Sequence, residues 1–257
     1  MRAGHLALPG GRVETRWWGP PPRSAPTLVF LHEGLGSAAL WRDFPETLAA
    51  ATGCGALAYS RLGYGGSDPC PLPRPLSFMH EEAARLPALL DAARVRDGVL
   101  VGHSDGGSIA LIHAGRDPVA GLRGVVTLAA HVFCEPLSVR SIRAARERYL
   151  NGDLRAKLER HHGPNTDCAF WGWNDAWLHP EFALWNIEAV LPQIRVPVLA
   201  VQGEDDEYGT PAQLEAIARG AGARTLMLPD CGHAPHRDQP ERTLAAIGDF
   251  VNELLEG

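Results

Sequence analysis

Serine, acid and histidine side chains occur along this sequence in an order that suits acyl transfer. The strongest local signal is Gly102-His103-Ser104-Asp105-Gly106, followed by Gly107, directly after the apolar run 99–101 and directly before a stretch with helical spacing. A strand that turns sharply into a helix leaves a serine hydroxyl exposed at the turn, and flanking glycines remove side chains that would strike neighbouring backbone. Taken alone, a small-residue run with one serine arises readily by chance; the strand-turn-helix context singles out Ser104.

A serine hydroxyl is a poor nucleophile near neutral pH, so it needs a histidine to take its proton and a carboxylate to orient that histidine. After the apolar run 196–201 come Gly203-Glu204-Asp205-Asp206-Glu207, four consecutive acids at an expected strand end. The residues alone leave the choice among the four open, with a solvated acidic loop as the plain alternative. After the run 224–228, Leu228-Pro229-Asp230-Cys231-Gly232-His233 puts a histidine at a further strand end, with His236 as its near competitor.

Acyl transfer also needs donors for the developing oxyanion, and loss of one typically lowers turnover by roughly a hundred- to a thousandfold. The backbone N–H of Asp105 is one expected donor. The glycine-rich turn His32-Glu33-Gly34-Leu35-Gly36, after the run 27–31, supplies the other, the N–H of Gly34 first and that of Leu35 next.

These residues require elements to hold them. Apolar runs at 27–31, 56–59, 99–102, 124–128, 196–201 and 224–228 read as strands, and helical spacing appears at 40–51, 78–93, 104–114, 212–218 and 241–255. Continuous apolar strands imply burial on both faces, hence an α/β architecture with a mostly parallel central sheet flanked by helices. The alternating segment 12–18 reads as an antiparallel edge strand. The alternation lapses over 131–191, where Trp171, Trp173, Trp177 and Trp185 lie among charged helical patterns such as 141–160. That stretch reads as a helical cap inserted before the acid-bearing strand, giving one domain over 1–257 with core 1–130 and 192–257 and cap 131–191. The cap tryptophans Trp171 and Trp173 are candidate substrate contacts, although aromatic clusters more often serve packing.

With 257 residues, 45% of them hydrophobic, the chain can bury a sizeable core. A formal charge of -6 with scattered Lys and Arg offers no phosphate-binding surface, so nucleic acid is not expected as a partner. Five cysteines form no CxxC pair, and an odd number cannot be fully paired within one chain. The first ten residues lack a basic start and a continuous apolar stretch, and no run is long enough to span a bilayer. The expectation is a cytoplasmic protein acting on a small-molecule substrate away from membranes, with oligomeric state undetermined.

The chain resembles the α/β-hydrolase superfamily, especially its small-molecule esterases and its aromatic-degradation hydrolases such as enol-lactonases. The resemblance covers most of the length. It is carried by Val29-Phe30-Leu31-His32 with Gly34-Leu35-Gly36 and Trp41, by Tyr59-Ser60-Arg61 with Gly63-Tyr64-Gly65 and Ser67, by the Ser104 turn, by Gly203 to Asp206, and by Gly232-His233 with Pro240. It implies the α/β-hydrolase fold, an acid spaced as Gly-x-x-Asp, which selects Asp206, and a base following a glycine, which selects His233. Two departures stand out. Glu33 replaces the usual glycine after His32, and either points its carboxylate toward the pocket or tolerates the same turn. Asp105 replaces a residue that is often neutral, and either orients the loop, touches substrate, faces solvent or bonds local backbone.

The implied chemistry is hydrolysis of a small carboxylic ester or lactone through Ser104, His233 and Asp206, with no cofactor or metal required. Carbon–carbon bond hydrolysis of a ring-cleavage product uses the same three residues and would need a cationic pocket; the cap carries Arg140, Arg143 and Arg146, for which a solvated helix face is the plainer reading. A ligand-binding homologue without turnover is the alternative from another class.

Overall fold

The apolar runs pair into one sheet. In the computed structural model, which describes residues 1–116 and 118–256, eight strands align among the described residues. They are β1 (Arg2–Leu8), β2 (Gly11–Trp18), β3 (Thr27–Leu31), β4 (Gly55–Tyr59), β5 (Gly98–His103), β6 (Leu122–Leu128), β7 (Val198–Gly203) and β8 (Arg224–Leu228), in the spatial order β1-β2-β4-β3-β5-β6-β7-β8. The six strands from β3 to β8 run parallel, while β2 lies antiparallel to β4 and β1 antiparallel to β2.

Successive side chains on a strand point to opposite faces, so a continuous apolar strand feeds two cores at once. Val29, Leu31, Leu57, Tyr59 and Leu100 join one buried cluster, and Leu28, Phe30, Ala56, Ala58, Val99 and Val101 the other. The covering helices are α1 (Phe44–Thr52), α2 (Phe78–Ala92), α3 (Asp105–Arg116), α4 (Pro136–Asn151), α5 (Leu154–His162), α6 (Thr166–Leu178), α7 (Pro211–Ala221), α8 (Pro235–Asp238) and α9 (Pro240–Glu256). Helices α2, α3 and α7 bury Leu86, Ile109 and Ile217 in the first cluster, and α1 and α9 bury Leu48, Ile247 and Val251 in the second. Between β6 and β7 the chain forms α4, α5, α6 and short 3-10 turns instead of a single crossover helix.

Two expectations are corrected. The segment 12–18 does form a strand antiparallel to its neighbour, but β1 lies outside it, so β2 is not the edge. Pro9 and Gly10 turn the chain between them, with Leu8 opposite Gly11 and Gly10 at φ +96°. β1 left no apolar signature because an outer strand needs none: most of its residues are exposed. The charged pattern 141–160 is two helices, broken where Gly152 follows Asn151.

All the predicted chemistry emerges at one edge. The loop 32–36 leaves the carboxyl end of β3, Ser104 that of β5, Asp206 that of β7 and His233 that of β8. From β3 the chain places β4 on one side and β5 on the other, so the loop 32–36 and Ser104 flank the point where strand order reverses. Sheets of this type open a ligand crevice there.

Candidate active site

Ser104 sits between β5 and α3 at φ +51°, a left-handed conformation uncommon for a side-chain-bearing residue. The turn survives because Gly102 and Gly106, two positions to either side, have no side chains. A Cβ at Gly102 would lie 2.3 Å from the Gly106 carbonyl oxygen, and one at Gly106 would lie 2.0 Å from that of Leu31. Both obstacles are backbone and cannot swing away. Gly106→Ala is therefore expected to lower stability by about 1–3 kcal/mol or more, as overpacking of a dense core does, read as a fall in the denaturant midpoint. An unchanged midpoint would mean that the turn has slack the geometry does not suggest.

His233 lies between the serine and the acid. Its Nε2 is 2.9 Å from Ser104 Oγ and its Nδ1 is 2.7 Å from Asp206 Oδ1. The Asp206 carboxylate accepts at Oδ1 from the N–H groups of Tyr208 and Gly209 at 2.9 and 3.2 Å, and at Oδ2 from Gln202 Nε2 at 3.2 Å. With acceptor oxygens on that side, Nδ1 carries a proton and donates, leaving Nε2 to accept the serine proton. Burial works against charge on Asp206, yet the His233 charge, its hydrogen bond and the Tyr208 N–H hold the carboxyl below the usual carboxylate range. Burial likewise opposes charge on His233, and the attraction and hydrogen bond of Asp206 outweigh it, raising its pKa above that of an ordinary histidine.

The backbone of His233 is fixed as firmly as its ring. Its N–H donates to Glu207 Oε2 at 3.2 Å, and its carbonyl accepts from His103 Nε2 at 2.7 Å. His236 is buried elsewhere, its ring centroid 4.9 Å from that of Trp41, and burial with the His103 charge takes its pKa well below the ordinary value.

The N–H groups of Gly34 and Asp105 have no protein acceptor among the described residues, which leaves both free to bind an oxyanion. Asp105 opens α3, so its N–H lies at the positive end of the helix dipole. Arg61 shapes the other loop, donating to the carbonyls of His32 at 2.5 Å and Glu33 at 3.0 Å. His162 of α5 pins it further, donating from Nε2 to the Leu35 carbonyl at 3.0 Å while its Nδ1 accepts from the Gly65 N–H at 3.1 Å. A Cβ at Gly34 would fall 2.2 Å from Trp173 Nε1, so only glycine lets that indole close over the loop.

A cavity of about 90 Å³ meets Ser104 and His233 and is walled by Gly34, Leu35, Ile142, Trp173, Trp177 and Tyr208, with Glu33, Asp105, His131 and Ser138 also on it. Glu33 therefore does reach the pocket. Burial disfavours its charge, but His103, with Nδ1 3.4 Å away, and Arg237, 3.8 Å away, hold its carboxyl well below the usual range. Asp105 neither faces solvent nor bonds backbone: it is 1% exposed and accepts from Trp177 Nε1 at 3.2 Å through Oδ1. Burial raises its pKa to about 6 against the pull of Arg61 and that hydrogen bond.

Trp171 does not wall the cavity. At ~100° per residue, Trp173 and Trp177 share a face of α6 while Trp171 points the other way, under the Arg146 guanidinium 5.2 Å from its ring centroid. Five residues on the cavity, His131, Ser138, Ile142, Trp177 and Tyr208, are not among the candidates the sequence offers. The place of Trp177, four residues after Trp173, is the signal that marks a shared helical face. Tyr208, two residues after Asp206, places its ring 4.6 Å from that of His233, tilted by 44°. His131 donates or accepts at Nε2 with the Tyr208 carbonyl at 3.1 Å, and burial and the His233 charge lower its pKa to about 4, so it is neutral and must donate. No local sequence signal distinguishes His131 from the other ten histidines. Among the described residues no group of three or more His, Cys, Asp or Glu side chains is arranged to hold a metal ion, and no helix is long and apolar enough to cross a membrane.

Comparison with known proteins identifies the family and the fold. A family model described as the alpha/beta hydrolase family matches residues 28–246. The polyketide synthase ThaQ of Burkholderia thailandensis is 31% identical over 281 residues, covering 99% of this chain but 13% of that much longer protein. Among solved structures, VinJ is similar at 25% identity and TM-score 0.75, with 98% of this chain and 99% of that one covered. The enol-lactonase from Burkholderia xenovorans is similar in fold at 20% identity and TM-score 0.72 over 96% and 99% of the two chains, and the esterase RhEst1 from Rhodococcus at 19% and 0.73 over 99% and 100%.

Proposed function

The chain belongs to the alpha/beta hydrolase family, and from that premise we propose that it hydrolyses a small carboxylic ester or lactone with Ser104 as nucleophile, His233 as base and Asp206 as orienting acid. The observation that carries this reading is the pair of hydrogen bonds through His233, 2.9 Å to Ser104 and 2.7 Å to Asp206. Ser104 Oγ attacks the substrate carbonyl while His233 Nε2 takes its proton. The N–H groups of Gly34 and Asp105 hold the oxyanion, His233 returns the proton to the leaving alcohol, and an acyl-enzyme remains. Water then repeats the sequence and releases the acid. Residues 131–191 act as a cap whose α6 closes the acyl side, and the small apolar cavity favours a short acyl group.

The wall composition weighs against carbon–carbon bond hydrolysis of a ring-cleavage product, which would need a cation for a second carboxylate. Glu33 and Asp105 are the charged groups on the cavity among the described residues. Arg140 and Arg143 are exposed, and Arg146 is spent on Trp171.

A fluorophosphonate probe is expected to label one site, with its mass on the peptide containing Ser104, and turnover of a graded set of p-nitrophenyl esters is expected to peak at short chains. The likeness to a stretch of a polyketide synthase makes a ketide-type acyl thioester the natural addition to that panel. A protein inert to the probe and to every substrate would favour the ligand-binding reading instead.

A further inference from the structure

Two thiols outside the proposed chemistry face each other where the loop after β4 meets α6. Cys70 Sγ and Cys168 Sγ lie 3.2 Å apart although 98 residues separate them in sequence. Both are half-buried free thiols, within reach of a small reagent. Arg74 Nη2 is 3.0 Å from Cys70 Sγ and is anchored on the Leu62 carbonyl at 2.6 Å. Cys168 Sγ also lies 3.4 Å from the Cys70 carbonyl oxygen. The missing side chain of Gly63 makes room for the pair: a Cβ there would come within 2.6 Å of one sulfur and 2.7 Å of the other. An even-looking pair could not be read from five scattered cysteines; only the fold brings these two together.

We propose that Cys70 and Cys168 form a reversible dithiol–disulfide couple, oxidised by low-molecular-weight disulfides, whose bond fastens α6 to the loop after β4. This rests on the thiol geometry and is independent of the role of Ser104. The mutual hydrogen bond and the nearby Arg74 pull one thiol of the pair down against the effect of burial, and we assign that thiol to Cys168. Cys168 is then the thiolate that attacks first. Its sulfur displaces one glutathione thiolate from glutathione disulfide, breaking that S–S bond and leaving a mixed disulfide on Cys168. Cys70 then gives its proton to solvent, attacks Cys168 Sγ and displaces the second glutathione thiolate. Two electrons pass from the protein thiols to glutathione disulfide, and two molecules of glutathione leave. Closing the gap to the ~2.04 Å of a disulfide needs a movement of about 1 Å. Since α6 carries Trp173 and Trp177, the bond pins one wall of the cavity.

The test equilibrates the full chain with graded ratios of oxidised to reduced glutathione, alkylates the remaining thiols and maps the protein by mass spectrometry without reduction. Loss of two of the five alkylatable thiols, with the Cys70 and Cys168 peptides joined and then released by dithiothreitol, supports the couple. Cys70→Ser is expected to trap one glutathione on Cys168, and Cys168→Ser to abolish the cross-link. Amide hydrogen exchange in α6 should slow in the oxidised protein. The proposal is overturned if both thiols stay alkylatable at every ratio, if wild type keeps glutathione on each cysteine without a cross-link, or if the bond joins any other pair. Wild-type mapping decides the matter even where a serine variant folds poorly.

Discussion

Ser104→Ala is expected to lower kcat/KM for a short-chain p-nitrophenyl ester by ~10⁴-fold or more, with thermal stability kept at or above that of wild type. The magnitude follows from removing a nucleophile whose partners act as a unit, so that the remaining residues cannot substitute for it. What survives is catalysis by the Gly34 and Asp105 donors acting on water, which in comparable sites still exceeds the uncatalysed rate by about 10³–10⁴. Stability should not suffer, because the alanine keeps the Cβ and the turn geometry is set by Gly102 and Gly106. A fall of less than tenfold would place the chemistry elsewhere.

Asp206→Asn is expected to reduce kcat by up to about 10⁴-fold while leaving substrate binding close to wild type. An amide can turn its NH2 toward Nδ1, favouring the tautomer whose Nε2 carries the proton and cannot accept one from Ser104. The pH profile gives a separate readout with a defined sign. His233 must be neutral to act as base and its pKa is raised in the folded protein, so wild-type kcat/KM should climb with pH through a midpoint above the ~6.5 of an ordinary histidine. Removing the carboxylate that raises it should move that midpoint down. The same shifts bear on stability. The lowered carboxyl of Asp206 contributes stability above its unfolded pKa of ~3.9, lost as pH falls through the folded value. Protonated His233 contributes below ~6.5, lost as pH rises through its raised folded value. The charged pair therefore stabilises most between those limits. A midpoint that stays put in the variant would break the assigned link between the two side chains.

The strands and the residues at their carboxyl ends were legible because each signal is local: an apolar run, a glycine, then one polar residue. Asp206 could not be separated from three neighbouring acids by composition; its spacing from Gly203 did that through the family resemblance, and the structure adds the reason, since it is the acid that accepts from Gln202, Tyr208 and His233. β1 was invisible because an exposed outer strand carries no apolar pattern. Cavity-wall residues were half legible. Trp173 and Trp171 look alike in sequence, and only the rotation of α6 decides which meets the pocket. Asp105 read as a loop substituent, but its partner, the Trp177 indole, lies 72 positions away, and no local pattern encodes such a pairing.

Strand β6 supplies none of the three residues assigned to proton transfer, yet it lies between β5, which ends at Ser104, and β7, which leads to Asp206. It is tied to both: the Ser104 N–H bonds to the Leu128 carbonyl at 2.8 Å, and the Ala129 N–H to that of Val201 at 2.8 Å. β6 thus works as a shim. Its thickness, two inter-strand spacings of about 4.8 Å taken together, sets the gap that the imidazole of His233 must bridge. Substitutions that thicken or tilt this strand would detune the reaction from beneath, in a protein that still folds and still admits its substrate.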